Sequence, residues 1–427
     1  MTLTELPARL RTLWTNARAA LAALPRWERY MTFLWLAGPF VFFSPNANLV
    51  EDWLRVIVLV FLGRCIHLSD WAWVRQPWVW LSALFLLVCL VSSAVGFSPV
   101  LSVEPTLKWA VFPLYLAAAQ VWLGRHPDIR ALMLAVCFAA LTALCLILLA
   151  EVAIEPKTRL TWPYGDMHPG LHLAKTSLLA IVAAAVWAMR WRGTAALAPA
   201  ALVGAAIAMV ILTGERMNAG IVLATAAAAL VLSVSTWTHA RRLLMFAALV
   251  AAIGAGRIDG RADLAERMTT KLVTQIPYHN TDEIYWQVMR GAMQMFTERP
   301  WFGYGPNSYR TICPELGDSP LPSVNNCNWT HPHNLTVQIA GETGIFGLLT
   351  YLAFTAAVVW ACWQARRDEP PESFARFAFI VPLVLLFPLQ ISGRFFGHPR
   401  YNLFLWVGVG FALMYRQGWR SPQSEKL

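Results

Sequence analysis

The stretch ALMLAVCFAALTALCLILLA, residues 131–150, runs without a single charged side chain. At about 1.5 Å per residue, a helix of this length matches the roughly 30 Å hydrocarbon core of a bilayer. A surface helix of a soluble domain would show a polar face, and this one has a single threonine, Thr142. Comparable runs recur on both sides of it along nearly the whole chain. Of 427 residues, 57% are AVILMFWYC and 14% are charged, with 21 Trp and 22 Phe, and the mean hydropathy is +0.50. Soluble domains carry about 25% charge. The sequence therefore reads as an all-α polytopic membrane protein, and an ordinary soluble enzyme is excluded.

Outward from residues 131–150, the apolar runs predict about twelve transmembrane helices. They lie over 29–44, 50–68, 77–95, 106–123, 129–150, 172–190, 195–213, 218–236, 241–256, 334–363, 373–391 and 401–416. The first is short and contains Pro39, and the tenth is long enough to protrude. Residues 1–28 are basic and weakly amphipathic through Leu6, Leu10, Leu13, Trp14 and Leu21, which predicts an interfacial helix rather than a cleaved signal.

The net charge of +10 does not point to nucleic acid, because the basic residues sit in short clusters between apolar runs, where they set topology. Arginines gather before residue 30, at Arg75, at Arg125 and Arg130, at Arg190 and Arg192, at Arg241 and Arg242, at Arg366 and Arg367, and after Arg416. The positive-inside rule puts these connections and both termini in the cytoplasm. The expected organisation is a cytoplasmic interfacial segment (1–28), transmembrane helices one to nine (29–256), a periplasmic loop subdomain (257–333), helices ten to twelve (334–416) and a cytoplasmic tail (417–427).

The remaining costly residues collect on the outer side: Lys157, Arg159 and His168, then Glu215 and Arg216, then Arg257 to Lys271 and Arg290, then Arg394, His398 and Arg400. An Arg at helix-centre depth costs about 2.5–3.5 kcal/mol, so Arg216 in TGERMNAG (213–220) needs an anionic partner. For one arginine alone, an ion pair with Glu215 or snorkelling is explanation enough. Several cations converging on one face point further, to a phosphate-bearing ligand gripped by guanidinium forks.

In the long loop, IYWQVMRGAMQMFTER (284–299) places Tyr285, Val288, Met289, Ala292 and Met295 near one helical stripe, with Arg290 off its centre. Pro300 ends that helix, and WFGYGPNSYR (301–310) reads as a glycine-bearing turn that lacks a dinucleotide fingerprint. His331-Pro332-His333-Asn334 then precedes the tenth helix. Asn334 is a good N-cap, and His333 is at the least an interfacial histidine. A helix N-terminus disfavours imidazolium, so His333 is expected to stay neutral and able to accept a proton. A metal ligand set would need a third residue at suitable spacing, which is not evident, so no metal and no cofactor are expected. Of the seven cysteines, Cys65, Cys89, Cys137, Cys145 and Cys362 lie in or at the ends of apolar runs, whereas Cys313 and Cys327 share the outer loop and form a candidate disulfide.

Three elements together resemble the bacterial O-antigen ligases, which group with the O-antigen polymerases and protein O-oligosaccharyltransferases. They are TGERMNAG (213–220), the Trp286 and Arg290 helix followed by RPWFGYGPNSY (299–309), and HPHNLTVQIAGETGIFG (331–347). The resemblance implies an all-helical membrane glycosyltransferase of the GT-C-like class with one large periplasmic loop. It also implies transfer of polysaccharide from an undecaprenyl-diphosphate-linked O-antigen donor to a sugar of the lipid A-core acceptor at the bacterial inner membrane. Chemically, the leaving diphosphate needs its charge neutralised and the acceptor hydroxyl must lose a proton as it attacks. Arg216 and Arg290 are the expected diphosphate ligands and His333 the expected general base, in a metal-independent, inverting displacement. Supporting positions are His331, Asn334, Glu342, Arg394 and Arg400, with Glu342 expected to orient an arginine and Gly341, Gly344 and Gly347 to admit close packing. The alternatives are a polymerase or protein O-oligosaccharyltransferase with the same donor, and a secondary transporter or lipid flippase. Transporters usually hold their ionisable residues near the bilayer midplane, whereas here they gather at one face.

Overall fold

A computed structural model describes residues 6–44, 46–125, 127–154, 159–164, 169–191, 193–233, 284–316, 331–371, 373–388, 394–396 and 400–416. The described secondary structure is helical throughout. The main helices are α1 (Leu6–Ala23), α2 (Arg26–Val41), α3 (Ala47–Leu68), α4 (Pro77–Val95), α5 (Pro99–Trp109), α6 (Val111–Ala118), α7 (Pro127–Ile154), α8 (Leu178–Arg190), α9 (Leu197–Leu212), α10 (Arg216–Ser233), α11 (Ile284–Glu298), α12 (Leu335–Asp368), α13 (Ile380–Leu385) and α14 (Arg400–Leu413).

Local chemistry sets several boundaries. Asn46 caps α3 by accepting from Asn48 N at 3.0 Å, and α4 opens on Pro77, whose missing N–H is harmless in a first turn. The expected span 106–123 is broken into α5, α6 and a π-helical turn at Ala119–Leu123. Pro113 has no N–H to give the carbonyl of Trp109, and the break falls there. The expected span 172–190 is also bent, by 62°, between Pro169–Thr176 and α8, with a π-helical turn at His172–Thr176.

Among the described residues, five helices are long and apolar enough to cross a membrane, or six if the bent pair counts as one span. These cover the expected spans 77–95, 129–150, 172–190, 195–213, 218–236 and 334–363. Expected spans 29–44, 373–391 and 401–416 correspond to shorter helices, and 241–256 lies outside the described residues, as does the tail 417–427. Leu59, Ile66, Leu87, Leu146, Val231 and Leu349 project outward, each more than half exposed. In water that would be a liability, and in lipid it is the expected outer face. The chain is a multi-pass membrane protein.

Contacts between helix ends show that they gather in two layers. In one, the His172 ring Nε2 lies 3.1 Å from Pro39 O, Leu160 N donates to Leu212 O, Phe97 N to Tyr304 O and Asn334 Nδ2 to Pro388 O. The other layer carries the predicted cytoplasmic arginines. There Asp70 accepts from Arg64 at 3.1 Å and Arg125 at 2.9 Å, and Arg130 meets Glu369 at 3.5 Å. Between the layers, Trp109 packs against Phe85, Phe112, Phe354, Phe395 and Trp406. That aromatic cluster ties α4, α5, α12 and α14 together and seats residues 394–396 beneath the first layer.

Candidate active site

The site grows from the contact between the 299–309 turn and the start of α12. α11 buries Val288, Met289, Ala292 and Met295, the stripe expected from sequence, and packs on α12 so closely that a Cβ on Gly341 would stand 2.6 Å from Ala292 O. The chain then doubles back. Gly303 (φ +65°) and Gly305 (φ +102°) take left-handed conformations that glycine adopts without a steric penalty. Gly305 N donates to Glu342 O at 2.8 Å, and Ile345 N to Pro300 O at 2.7 Å. Ser92 Oγ, from the end of α4, donates to Phe302 O at 2.5 Å. The glycine-bearing turn and the Glu-x-Gly segment, read separately in sequence, form one unit.

Glu342 is buried in that unit, and its carboxylate accepts from Asn307 N (2.8 Å), Tyr309 N (3.0 Å) and Gln338 Nε2 (3.3 Å). Sequence reasoning had it orient an arginine. Its direct partners are two loop amides and the side chain of Gln338, because a buried carboxylate is best satisfied by several fixed donors, and it reaches an arginine, Arg394, through Asn307. Arg394 stands within electrostatic reach of Glu342 and donates to Asn307 Oδ1. Asn402 of α14 holds the carbonyls of Arg394 (2.8 Å) and Phe395 (2.6 Å), while Phe395 N donates to Gln338 Oε1 at 2.8 Å. Burial lowers the Arg394 pKa, and the charge of Arg310 lowers it further.

Asn334 caps α12, its side chain accepting from Val337 N at 2.9 Å. His333, just before the cap, has φ +56°, an uncommon conformation for a residue with a Cβ. It brings the His331 and His333 rings to 4.0 Å between centroids. Burial lowers the pKa of His333 to about 4. That of His331 falls to about 3 through burial and then through the charges of His333 and Arg394. Both imidazoles are therefore neutral near pH 7 and able to take a proton. His331, His333, Arg394 and Arg310 thus form one cluster, braced by Glu342.

A second cluster surrounds TGER (213–216). Gly214 has φ +70°. Arg159 Nε donates to Thr213 O at 2.9 Å, and its Nη2 lies 4.0 Å from Glu215. Asn218 donates to the other oxygen of Glu215. Arg216, half-buried, opens α10. The two clusters share a layer and are bridged by α14: Asn402 binds the 394–395 backbone, Phe404 packs on His172, and Gly408 lies against the carbonyl of Lys175.

The other expected positions are distributed as follows. Arg290 is exposed on α11, off the buried stripe. Arg400 begins α14, but its side chain lies outside the described residues. Cys313 is disulfide-bonded, and the expected partner Cys327 lies outside the described residues. Among the described residues no three His, Cys, Asp or Glu side chains group as metal ligands. Sequence reasoning missed Asn307, Arg310 and Gln338. The first two lie inside the quoted turn, where an Asn following Pro signals a left-handed position, and Asn307 has φ +68°. Gln338, four residues before Glu342 on the same helix, was visible as a helical neighbour.

No curated protein matches the chain. Residues 201–352 match the family model described as O-Antigen ligase. That segment contains Arg216, Arg290, His331, His333, Asn334 and Glu342, and the match supports membership of the O-antigen ligase and polymerase family.

Proposed function

We propose that the protein is an O-antigen ligase of the bacterial inner membrane, with about twelve spans of the GT-C-like class and its active site facing the periplasm. The observation that carries this reading is the pair of histidines at the cap of α12, their ring centroids 4.0 Å apart and within electrostatic reach of Arg394, which Arg310 adjoins in turn. A base and fixed cations at one membrane face suit a reaction that deprotonates a hydroxyl and releases a diphosphate.

The acceptor hydroxyl of the lipid A-core sugar attacks the anomeric carbon of the O-antigen carried on undecaprenyl diphosphate. A new glycosidic C–O bond forms as the C–O bond to the diphosphate breaks, its electron pair leaving with the phosphate oxygen. The proton passes to His333, and the configuration at carbon inverts in this single displacement. Arg216 and Arg290 hold the diphosphate through paired hydrogen bonds to its oxygens. Glu342 keeps the 303–309 turn in register with the histidines, and Cys313 and Cys327 tether the loop above. No divalent cation or cofactor takes part.

The test is reconstitution of the purified chain with undecaprenyl-diphosphate glycan and rough lipopolysaccharide, with no energy source added. Glycan joined to the lipid A-core is expected, and His333→Ala should lower its formation by about 10²–10⁴-fold while donor still binds. Near-normal turnover by His333→Ala would overturn the base assignment. Longer lipid-linked glycan without core product would assign a polymerase, and lipid movement without a covalent product a transporter.

A further inference from the structure

We propose that Glu151 is a positioning residue for the turn that opens α10. Its buried carboxylate fastens Thr161 and Trp162, and the segment so held supports the Leu212–Gly214 backbone that leads into Arg216. The inference rests on the reading of Arg216 as a diphosphate ligand and concerns a residue outside the family-matched segment 201–352.

Glu151 stands in the last turn of α7, one residue beyond the expected span 129–150, and is fully buried. The C-terminal end of a helix disfavours negative charge, and burial disfavours it further. A carboxylate persists in such a place only where donors surround it. Thr161 N donates to both of its oxygens, at 2.9 and 3.0 Å, the Thr161 hydroxyl to one at 3.1 Å and Trp162 N to the other at 2.9 Å. All four bonds come from two consecutive residues of the connection that follows α7. The charge at the end of one helix thus grips the backbone of a segment that reaches the end of another.

That other helix is α9. The last carbonyls of a helix have no partner within it, and here each one is answered. Thr213 N donates to Met209 O at 3.1 Å, the Thr213 hydroxyl to Val210 O at 2.6 Å and Gly214 N to Ile211 O at 2.9 Å. The next two carbonyls are answered by the fastened segment: Leu160 N donates to Leu212 O at 3.2 Å and Arg159 Nε to Thr213 O at 2.9 Å. A cationic donor is favourable at this end of a helix. The Arg159 side chain also lies along Gly214, where a Cβ would stand 3.0 Å from Nε. Gly214, at φ +70°, turns the chain out of α9, and α10 opens on Arg216 two residues later. Gly170 crowds the same turn, since a Cβ there would come within 3.0 Å of the Thr213 hydroxyl. A shift of residues 159–162 breaks both borrowed bonds, and the turn into α10 loses its support.

The experiment uses the full chain in lipid nanodiscs and reads hydrogen–deuterium exchange, binding of undecaprenyl diphosphate, and transfer to rough lipopolysaccharide. Glu151→Gln is expected to speed exchange in the peptide covering 209–218. It should also weaken undecaprenyl diphosphate binding about fivefold, while kcat at saturating donor and the acceptor KM stay within about twofold of wild type. Unchanged exchange at 209–218 overturns the proposal. So do comparable losses in lipid binding, acceptor KM and kcat, which mark a contribution to stability alone. If Glu151→Gln fails to fold, Thr161→Val, which removes one bond of the clasp, decides the matter: lipid binding should weaken about threefold, and an unchanged value overturns the proposal. Arg216→Ala separates the two claims. Lipid binding unmoved in both Arg216→Ala and Glu151→Gln removes the underlying reading and the proposal with it, whereas binding weakened in Arg216→Ala and unmoved in Glu151→Gln overturns the proposal alone.

Discussion

The buried carboxylate of Glu342 accepts a hydrogen bond from the backbone amide of Asn307 at 2.8 Å, and the side chain of Asn307 accepts from Arg394. One residue of α12 thereby sets where the Arg394 guanidinium stands. Glu342→Gln keeps the shape and removes the charge, and it turns an NH2 group toward one of the loop amides. The expected cost is about 2 kcal/mol of stability together with a marked loss of transfer, read as a lower thermal midpoint in detergent and less core-linked glycan. Unchanged values for both would show that the loop holds itself.

Protonation of the histidines gives a pH dependence with a definite sign. Both bind protons more weakly in the fold than at the ordinary value of 6.5, with His333 at about 4 and His331 at about 3. The stability tied to their neutral forms is fully present above about pH 6.5 and is lost as the pH falls through those folded values. Because a base works in its neutral form, the acid limb of turnover by the free enzyme should have its midpoint near pH 4 and not near 6.5. A rate profile of kcat/KM between pH 3.5 and 8 checks this, and a midpoint at 6.5 would remove His333 from the role.

Replacing Arg216 or Arg290 by Lys retains charge and discards the fork. Each variant should bind donor about tenfold more weakly, since a point charge makes fewer paired hydrogen bonds to phosphate oxygens. Arg290 is the sharper case, because it is exposed on α11 and its replacement leaves the buried stripe untouched. Equal affinity and turnover in Arg290→Lys would make that arginine a solvated surface residue.

The bonded state of Cys313 predicts a linked Cys313–Cys327 peptide in non-reducing mass spectrometry of the native membrane protein. A ring of this size contributes about 3 kcal/mol in the chain-entropy model. Reduction should loosen the segment ahead of His331 without abolishing transfer, because no step of the chemistry uses sulfur. Two alkylatable thiols in the native protein would refute the bridge.

Hydropathy made some of this architecture legible and hid the rest. The run 77–95 coincides with α4 because Pro77 and Gly96 bracket an uninterrupted apolar stretch. The run 106–123 is less apolar, with Lys108 and Gln120 in it, and it folds as three pieces: Pro113 breaks the backbone ladder ahead of α6, and a π-helical turn follows at Ala119–Leu123. At the site, the cap by Asn334 and the buried stripe of α11 follow from local spacing. The placement of Arg310 beside Arg394 and the grip of Glu342 on Asn307 join residues far apart in sequence. No periodicity within one segment carries such information.

The interruption at Gly344 gives the protein a sense of height. α12 counts 34 residues, but at Gly344 (φ +68°) the backbone leaves the helical conformation, and a Cβ there would strike the carbonyl carbon of Trp301 at 2.3 Å. Roughly two and a half turns precede the break and more than six follow it. The later turns alone suffice to cross the hydrocarbon. The earlier ones, with Asn334, Gln338 and Glu342, form a short pedestal, and the 299–309 turn clasps the helix on both sides of the break, through Gly305 N to Glu342 O and Ile345 N to Pro300 O. The bend at Gly344 is thereby locked from outside the helix, and the pedestal and the crossing turns move as one piece with the turn that clasps them.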